Sequence, residues 1–280
     1  MAALNALLRI LFVGLAAWVL VVAWVWLTQD RLVYFPQVGR DNPATPAAAG
    51  LRFEDLRIRT EDGETLAAWW VPATKGEMQG AVLLLHGNAG SIADRIIYLP
   101  HFAAMGYGVL LIDYRGYGRS SGTPSEAGTH ADARAAWRWL EERGFAAGDI
   151  VLMGESLGGA VAAQLAAVTR PRALLLISSF TSVNDLGAEL YPWLPVSWIS
   201  RFRYDTLQGV RDYRGPVLVV HSRDDEIVPF RHAQRLQAAA GLRGQLLELR
   251  GGHNDAFLFG TPQQVTAVAG FLRSAAEGNM

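Results

Sequence analysis

Gly154-Glu155-Ser156-Leu157-Gly158-Gly159 stands between a short apolar run, Asp149-Ile150-Val151-Leu152-Met153, and an Ala-rich stretch, Ala160–Val168. The apolar run reads as a buried strand and the Ala-rich stretch, free of Pro and Gly, as a helix. Strand, G-x-S-x-G and helix in that order make a nucleophile elbow. Its physical need is a serine hydroxyl standing clear of a sheet on a sharp, strained turn. Flanking glycines leave room where side chains would collide with neighbouring backbone. The helix that follows aims its first N–H groups at the place where negative charge would develop. An ordinary Gly/Ser turn before a helix has the same local sequence, so a base, an acid and an oxyanion donor must come from elsewhere in the chain.

The bulk properties narrow the field. The chain has 280 residues, 25 basic and 26 acidic, with a formal net charge of −1. A nucleic-acid partner is not expected, because no basic cluster or face is present. Lys75 is the only lysine, a compositional habit of a GC-rich genome. Cysteine is absent, which excludes disulfides, thiolate metal sites and a cysteine nucleophile.

Ile10–Leu27 is uninterrupted apolar sequence. At 1.5 Å per residue its ~18 residues span ~27 Å, close to the ~30 Å hydrocarbon core of a bilayer. A buried core helix is rarely apolar on every face. A cleaved signal peptide would have a shorter apolar region and a small-residue cleavage site, whereas this run ends Trp24-Val25-Trp26-Leu27-Thr28-Gln29-Asp30. An uncleaved membrane anchor over residues 1–30 is therefore expected, with Trp24 and Trp26 at the interface. The expected setting is a bacterial inner membrane. Arg9 lies on one side of the run and Arg31 and Arg40 on the other, so charge barely fixes orientation; tail inside and domain outside is preferred.

Residues 31–50 read as a linker, Pro-punctuated at Pro43 and Pro46. Strands are expected at Phe53–Arg59, Leu66–Val71, Ala81–Leu85, Val109–Ile112, Ala173–Ile177, Val217–Val220 and Gln245–Leu249. Helices are expected at Ile92–Met105, disturbed by Pro100, and at His130–Arg143, Pro229–Ala240 and Pro262–Ala275. This alternation argues for one α/β domain, 51–280, with a mostly parallel sheet covered by helices on both faces. Ligands bind such sheets at the carboxyl ends of the strands, where the Gly- and Asp-rich clusters fall.

Two of those clusters supply the missing chemistry. His221-Ser222-Arg223-Asp224-Asp225-Glu226 follows one strand, and Gly251-Gly252-His253-Asn254-Asp255 follows the last. The chain order is Ser156, acid, His253, the α/β-hydrolase order of a triad. Serine is a poor nucleophile at its free pKa, so the imidazole would take its proton. The carboxylate would fix the ring's tautomer and stabilise the imidazolium. Either Asp224 or Asp225 fits this order, and a solvated Asp pair at a strand end would look the same. A metal site at His221, Asp224 and Asp225 would need a ligand pair that the sequence lacks, and no metal or cofactor is expected.

From Leu51 to about Arg273 the chain resembles the α/β-hydrolase superfamily of serine hydrolases, in its Bem46-like and ABHD13/ABHD17-like branch. The match is carried by HGNAG at 86–90, DYRGYGRSSG at 113–122, GESLGG, YPWLPVSWISRFRYDT at 191–206, HSRDDEIVPF at 221–230 and GGHND. The resemblance implies an eight-stranded hydrolase sheet, Ser156 as nucleophile, Asp225 as acid and His253 as base. It implies oxyanion donors at the backbone N–H groups of Asn88 and Leu157. Asp113, Arg115 and Arg119 are expected to order their own loop, His86 to support the oxyanion loop, and His101, His130, His221 and His232 to be ordinary surface or packed histidines.

The superfamily's lid would fall at about 180–214, too short here for a separate cap domain. Tyr191, Trp193, Leu194 and Trp198 are the candidate lid and pocket residues, lining an acyl pocket or resting on the bilayer; packing on the core is the plain alternative. The expected activity is hydrolysis of carboxylic esters or thioesters, with lipid or acylated substrates suggested by the anchor. Two rivals stand beside it: a peptidase or amidase of the same fold, and a non-catalytic binding protein on a hydrolase scaffold. Oligomeric state is not readable from the sequence.

Overall fold

A computed structural model describes residues 1–255 and 257–278. Eight strands form a single sheet: β1 (Glu54–Arg59), β2 (Thr65–Val71), β3 (Gly80–Leu85), β4 (Tyr107–Ile112), β5 (Ile150–Glu155), β6 (Ala173–Ile177), β7 (Val217–Ser222) and β8 (Gly244–Leu249). Their order is β1-β2-β4-β3-β5-β6-β7-β8. Only β2 runs against its neighbours; from β4 to β8 every pairing is parallel. The parallel strands are continuous apolar runs because both faces are covered. Leu83 and Leu85 enter one core with Trp137, Leu140, Val161, Leu165, Val210 and Leu236. Val82 and Leu84 enter the other with Leu99, Phe102, Val268, Phe271 and Leu272.

Helices α2 (Leu99–Ala104) and α9 (Pro262–Glu277) cover the second face; α3 (Glu126–Glu142), α4 (Leu157–Thr169) and α8 (Arg231–Ala240) cover the first. Between β6 and α8 lie α5 (Val183–Leu190), α6 (Val196–Ile199) and α7 (Thr206–Asp212). The expected helix Ile92–Met105 is a 3-10 turn, Ile92–Tyr98, that hands over to α2 just before Pro100. Helix α3 starts four residues before the expected His130. Ser125 caps it by accepting from Gly128 N–H at 3.1 Å, and Gly128 is there because a Cβ would stand 2.5 Å from the Arg115 side chain. Helix α4 begins at Leu157, with both glycines in its first turn.

Helix α1 runs Ala2–Val33, well beyond the apolar stretch at both ends. Among the described residues it is the one helix long and apolar enough to cross a membrane, and the rest of the chain buries none of its apolar window. A core helix would be covered. The segment after it is tied to the domain rather than loose. Tyr34 is buried, its hydroxyl 2.7 Å from that of Tyr204, and Phe35 bridges to Ala89.

Candidate active site

Ser156 leaves β5 with φ 51° and ψ −114°, a backbone conformation that an L-residue adopts only under constraint. Its N–H donates to Ile177 O at 2.8 Å, and its carbonyl accepts from Gly159 N–H at 3.0 Å and from Ser179 Oγ at 3.2 Å. The flanking glycines are sterically required. A Cβ on Gly158 would lie 2.1 Å from Leu85 O, and one on Gly154 would lie 2.3 Å from Gly158 O. Glu155 is held by Arg95 through contacts of 2.6 and 3.2 Å. Leu157 opens α4, so its N–H belongs to the first turn, whose donors have no acceptor within the helix.

The His86–Gly90 loop lies against the elbow: a Cβ on Gly87 would stand 3.5 Å from Ser156 Cβ. His86 is fully buried and donates from Nδ1 to Gly87 O at 2.7 Å. Burial pushes its pKa down to about 3, so it props the loop as a neutral ring. Asn88 is held from three directions. Its Nδ2 donates to Val33 O at 3.0 Å, and its carbonyl accepts from Phe35 N–H at 2.9 Å and from Tyr117 hydroxyl at 2.8 Å. The end of α1 and the strap after it therefore clamp the loop that presents the Asn88 N–H.

His253 follows β8, and its Nδ1 donates to Asp225 Oδ2 at 2.8 Å. Asp225 follows β7 and is buried. Its Oδ1 accepts from Ile227 N–H at 3.0 Å and Val228 N–H at 2.7 Å. Burial pushes the Asp225 carboxyl up, but hydrogen bonds from His221, His253 and the Val228 amide outweigh it and hold the group well below the usual carboxylate range. Asp224 turns the other way: its Oδ1 lies 3.2 Å from Arg250 Nη1, exposed to solvent. The two neighbouring carboxylates are thus separated by environment, one buried on the imidazole and one on the surface.

Two supporting side chains had no sequence signal. His221 is fully buried behind Asp225, with Nε2 donating to Val228 O at 2.8 Å and lying 3.2 Å from Asp225 Oδ2. Its β7 position reads as simple packing in the sequence. Glu226 accepts from His253 N–H at 3.0 Å and steadies the loop that carries His253. Nearby, Asp113 accepts from Ile92 N–H at 2.9 Å, and burial pushes its pKa up to about 6. Arg115 bonds Asp132 and Asp62, and Arg119 bonds Asp55, so both arginines order their loop. Of the residues expected to form a lid, Tyr191, Trp193 and Trp198 are exposed and Leu194 half-buried. A concavity of about 400 Å³ lies instead at the strap, against Tyr34, Phe35, Pro36, Val38 and Pro124, and none of Ser156, Asp225 and His253 lines it.

A strained serine after β5 at the head of a helix, with an imidazole after β8 bonded to a carboxylate after β7, is the arrangement of the α/β-hydrolase class. Residues 80–210 match the model of the α/β-hydrolase fold family. An uncharacterized protein of Mycobacterium tuberculosis is 39% identical over 91% of this chain and 91% of its own length. Protein bem46 of Schizosaccharomyces pombe is 35% identical over 77% of this chain and 76% of its own. The chain belongs to this family of α/β-hydrolases. The lysophosphatidylserine lipase ABHD12 of Danio rerio is 29% identical over 89% of this chain and 76% of its own. The fold is shared with Pyrococcus furiosus esterase Pf2001, at a TM-score of 0.68 and 21% identity, covering 86% of this chain and 98% of that one.

Proposed function

We propose that the chain is a membrane-anchored serine hydrolase that cleaves carboxylic esters or thioesters of lipid or acylated substrates. Ser156 Oγ attacks the acyl carbonyl carbon while His253 Nε2 takes its proton. The Asn88 and Leu157 N–H groups hold the oxyanion, each donor worth roughly 2.7–4 kcal/mol. The tetrahedral species collapses, the C–O or C–S bond breaks, and the leaving alcohol or thiol takes the proton from His253. Water then repeats the sequence on the acyl-enzyme and releases the acid. What supports this reading is the 2.8 Å bond from His253 Nδ1 to Asp225, which leaves Nε2 as the ring's basic nitrogen. A lipid-type leaving group is favoured by the apolar anchor and by the lipase among the relatives.

A fluorophosphonate probe tests the proposal. Wild-type protein is expected to label and Ser156→Ala to stay unlabelled; a folded wild type that does not react refutes it. The same proposal seats α1 in a bacterial inner membrane with the domain outside. External protease on spheroplasts is expected to digest the domain, and protection refutes that orientation.

A further inference from the structure

We infer that Leu190–Ser200, the tip of the segment between β6 and α7, enters the bilayer alongside α1, in the leaflet next to the catalytic domain. The inference rests on α1 being a membrane span and adds to it a second, separate point of insertion.

Three links fix this tip against the helix. Trp18 Nε1 donates to Trp193 O at 3.1 Å. Gln29, buried in the seam, donates to Ile199 O at 3.2 Å and accepts from Arg201 N–H at 2.7 Å. Arg201 also pairs with Asp30 at 3.1 Å and lies over the Trp26 ring at 5.7 Å. Depth follows from the helical rise. Trp18 lies nine residues before Leu27 in the apolar run, or ~13 Å along the axis. If Leu27 sits at the edge of the hydrocarbon, Trp193 lies well inside it.

The composition of the tip agrees with that depth. Leu190–Ser200 carries no charge; Glu189 precedes it and Arg201 follows. The Arg201–Asp30 pair thus stands where the helix and the tip both turn polar. Trp198 is 89% exposed, Trp193 55% and Tyr191 50%, an apolar patch continuous with the uncovered surface of α1. Lipid tolerates irregular backbone only where its polar groups are satisfied. Here Leu194, Trp198, Ile199 and Ser200 N–H groups bond to Tyr191, Pro195, Pro195 and Val196 carbonyls, and Pro192 and Pro195 have no N–H to satisfy. The helix side chains take the carbonyls of Trp193 and Ile199.

The chain has no cysteine, so single-cysteine labelling is clean. Full-length Trp198→Cys and Tyr191→Cys proteins, each carrying an environment-sensitive NBD label, would be reconstituted in phosphatidylcholine vesicles containing doxyl-labelled lipid. Leu20→Cys on α1 reports the span, and Leu242→Cys, fully exposed before β8, reports water. Blue-shifted emission and quenching at residues 191 and 198 approaching that at residue 20 are expected. Quenching at residue 20 with water-like emission at both lid positions overturns the insertion and leaves the anchor standing. Water-like emission at residue 20 as well overturns both.

Discussion

Asp225→Asn tests the geometry most directly. The change is nearly isosteric, and its effect follows from the donors around the carboxylate. Oδ1 accepts two backbone N–H groups, while Oδ2 faces His253 Nδ1 at 2.8 Å and His221 Nε2 at 3.2 Å. An amide keeps its oxygen on the two backbone donors, so its NH2 turns toward the two imidazoles. His221 keeps its bond to Val228 O. His253 has no such second acceptor for Nδ1 among the described contacts, so it adopts the other tautomer, accepting at Nδ1 and carrying its proton on Nε2. In that form it cannot take the serine proton. A wrong-tautomer triad loses about 10⁴ in kcat, or roughly 5 kcal/mol of barrier. The assay is kcat and KM on a p-nitrophenyl ester in detergent, with circular dichroism as the control for folding. Asp224→Asn weakens an exposed pair with Arg250, worth about 0–1 kcal/mol of stability, and leaves an amide oxygen for the long 3.4 Å bond from Gly251 N–H; it is expected to stay within about twofold of wild type, since Asp224 makes no bond to the His253 ring. A loss under about tenfold in Asp225→Asn, or an equal loss in Asp224→Asn, refutes the assignment.

Other outcomes follow from the same contacts. Asn88→Ala removes the bond to Val33 O while keeping the backbone donor; a bond worth about 0.5–1.5 kcal/mol, if spent on positioning, lowers kcat about 2- to 13-fold with KM unchanged, and an unchanged kcat shows the clamp to be idle. Gly158→Ala drives a Cβ into Leu85 O; overpacking against backbone is expected to cost about 3 kcal/mol and lower Tm by about 6–12 °C, read by calorimetry. His86, His130 and His232 are pushed by burial down to about 3, 4 and 4. The unfolded chain therefore binds more protons than the native one below pH ~6.5, and stability present above that pH is lost as it falls toward 4. Asp113, raised to about 6, and Asp132, also raised by burial, oppose them; denaturation midpoints that stay flat from pH 7 to about 4.5 would contradict the balance.

The parts of the fold legible in the chain are those dictated by burial. Strands β3 to β7 are covered on both faces, so they announce themselves as apolar runs such as Ala81–Leu85 and Ala173–Ile177. The elbow was legible because Gly154, Gly158 and Gly159 each answer a steric demand. Helix starts were less so: Gly128 and Gly158 look like breakers, yet each sits in a first turn because a neighbour leaves no room for a Cβ. Contacts that depend on one polar atom meeting another far along the chain leave no local pattern. His221 behind Asp225, Glu226 on the His253 amide and the Val33–Phe35 grip on Asn88 are all of that kind. The segment Leu190–Ser200 was legible as apolar, but its alignment with Trp18 and Gln29 was not.

The grip on Asn88 bears on how a soluble fragment should be cut. A fragment starting at Leu51 would keep all eight strands and the side chains of Ser156, Asp225 and His253. It would still leave behind the Tyr34 ring, the Phe35 amide and the Val33 carbonyl. Such a fragment could fold and bind yet turn over slowly, and its weakness would be misread as a missing lipid. Trimming at residue 31 instead keeps the grip on Asn88, and gives up the Gln29 and Asp30 bonds to Ile199 and Arg201 together with the greasy stem.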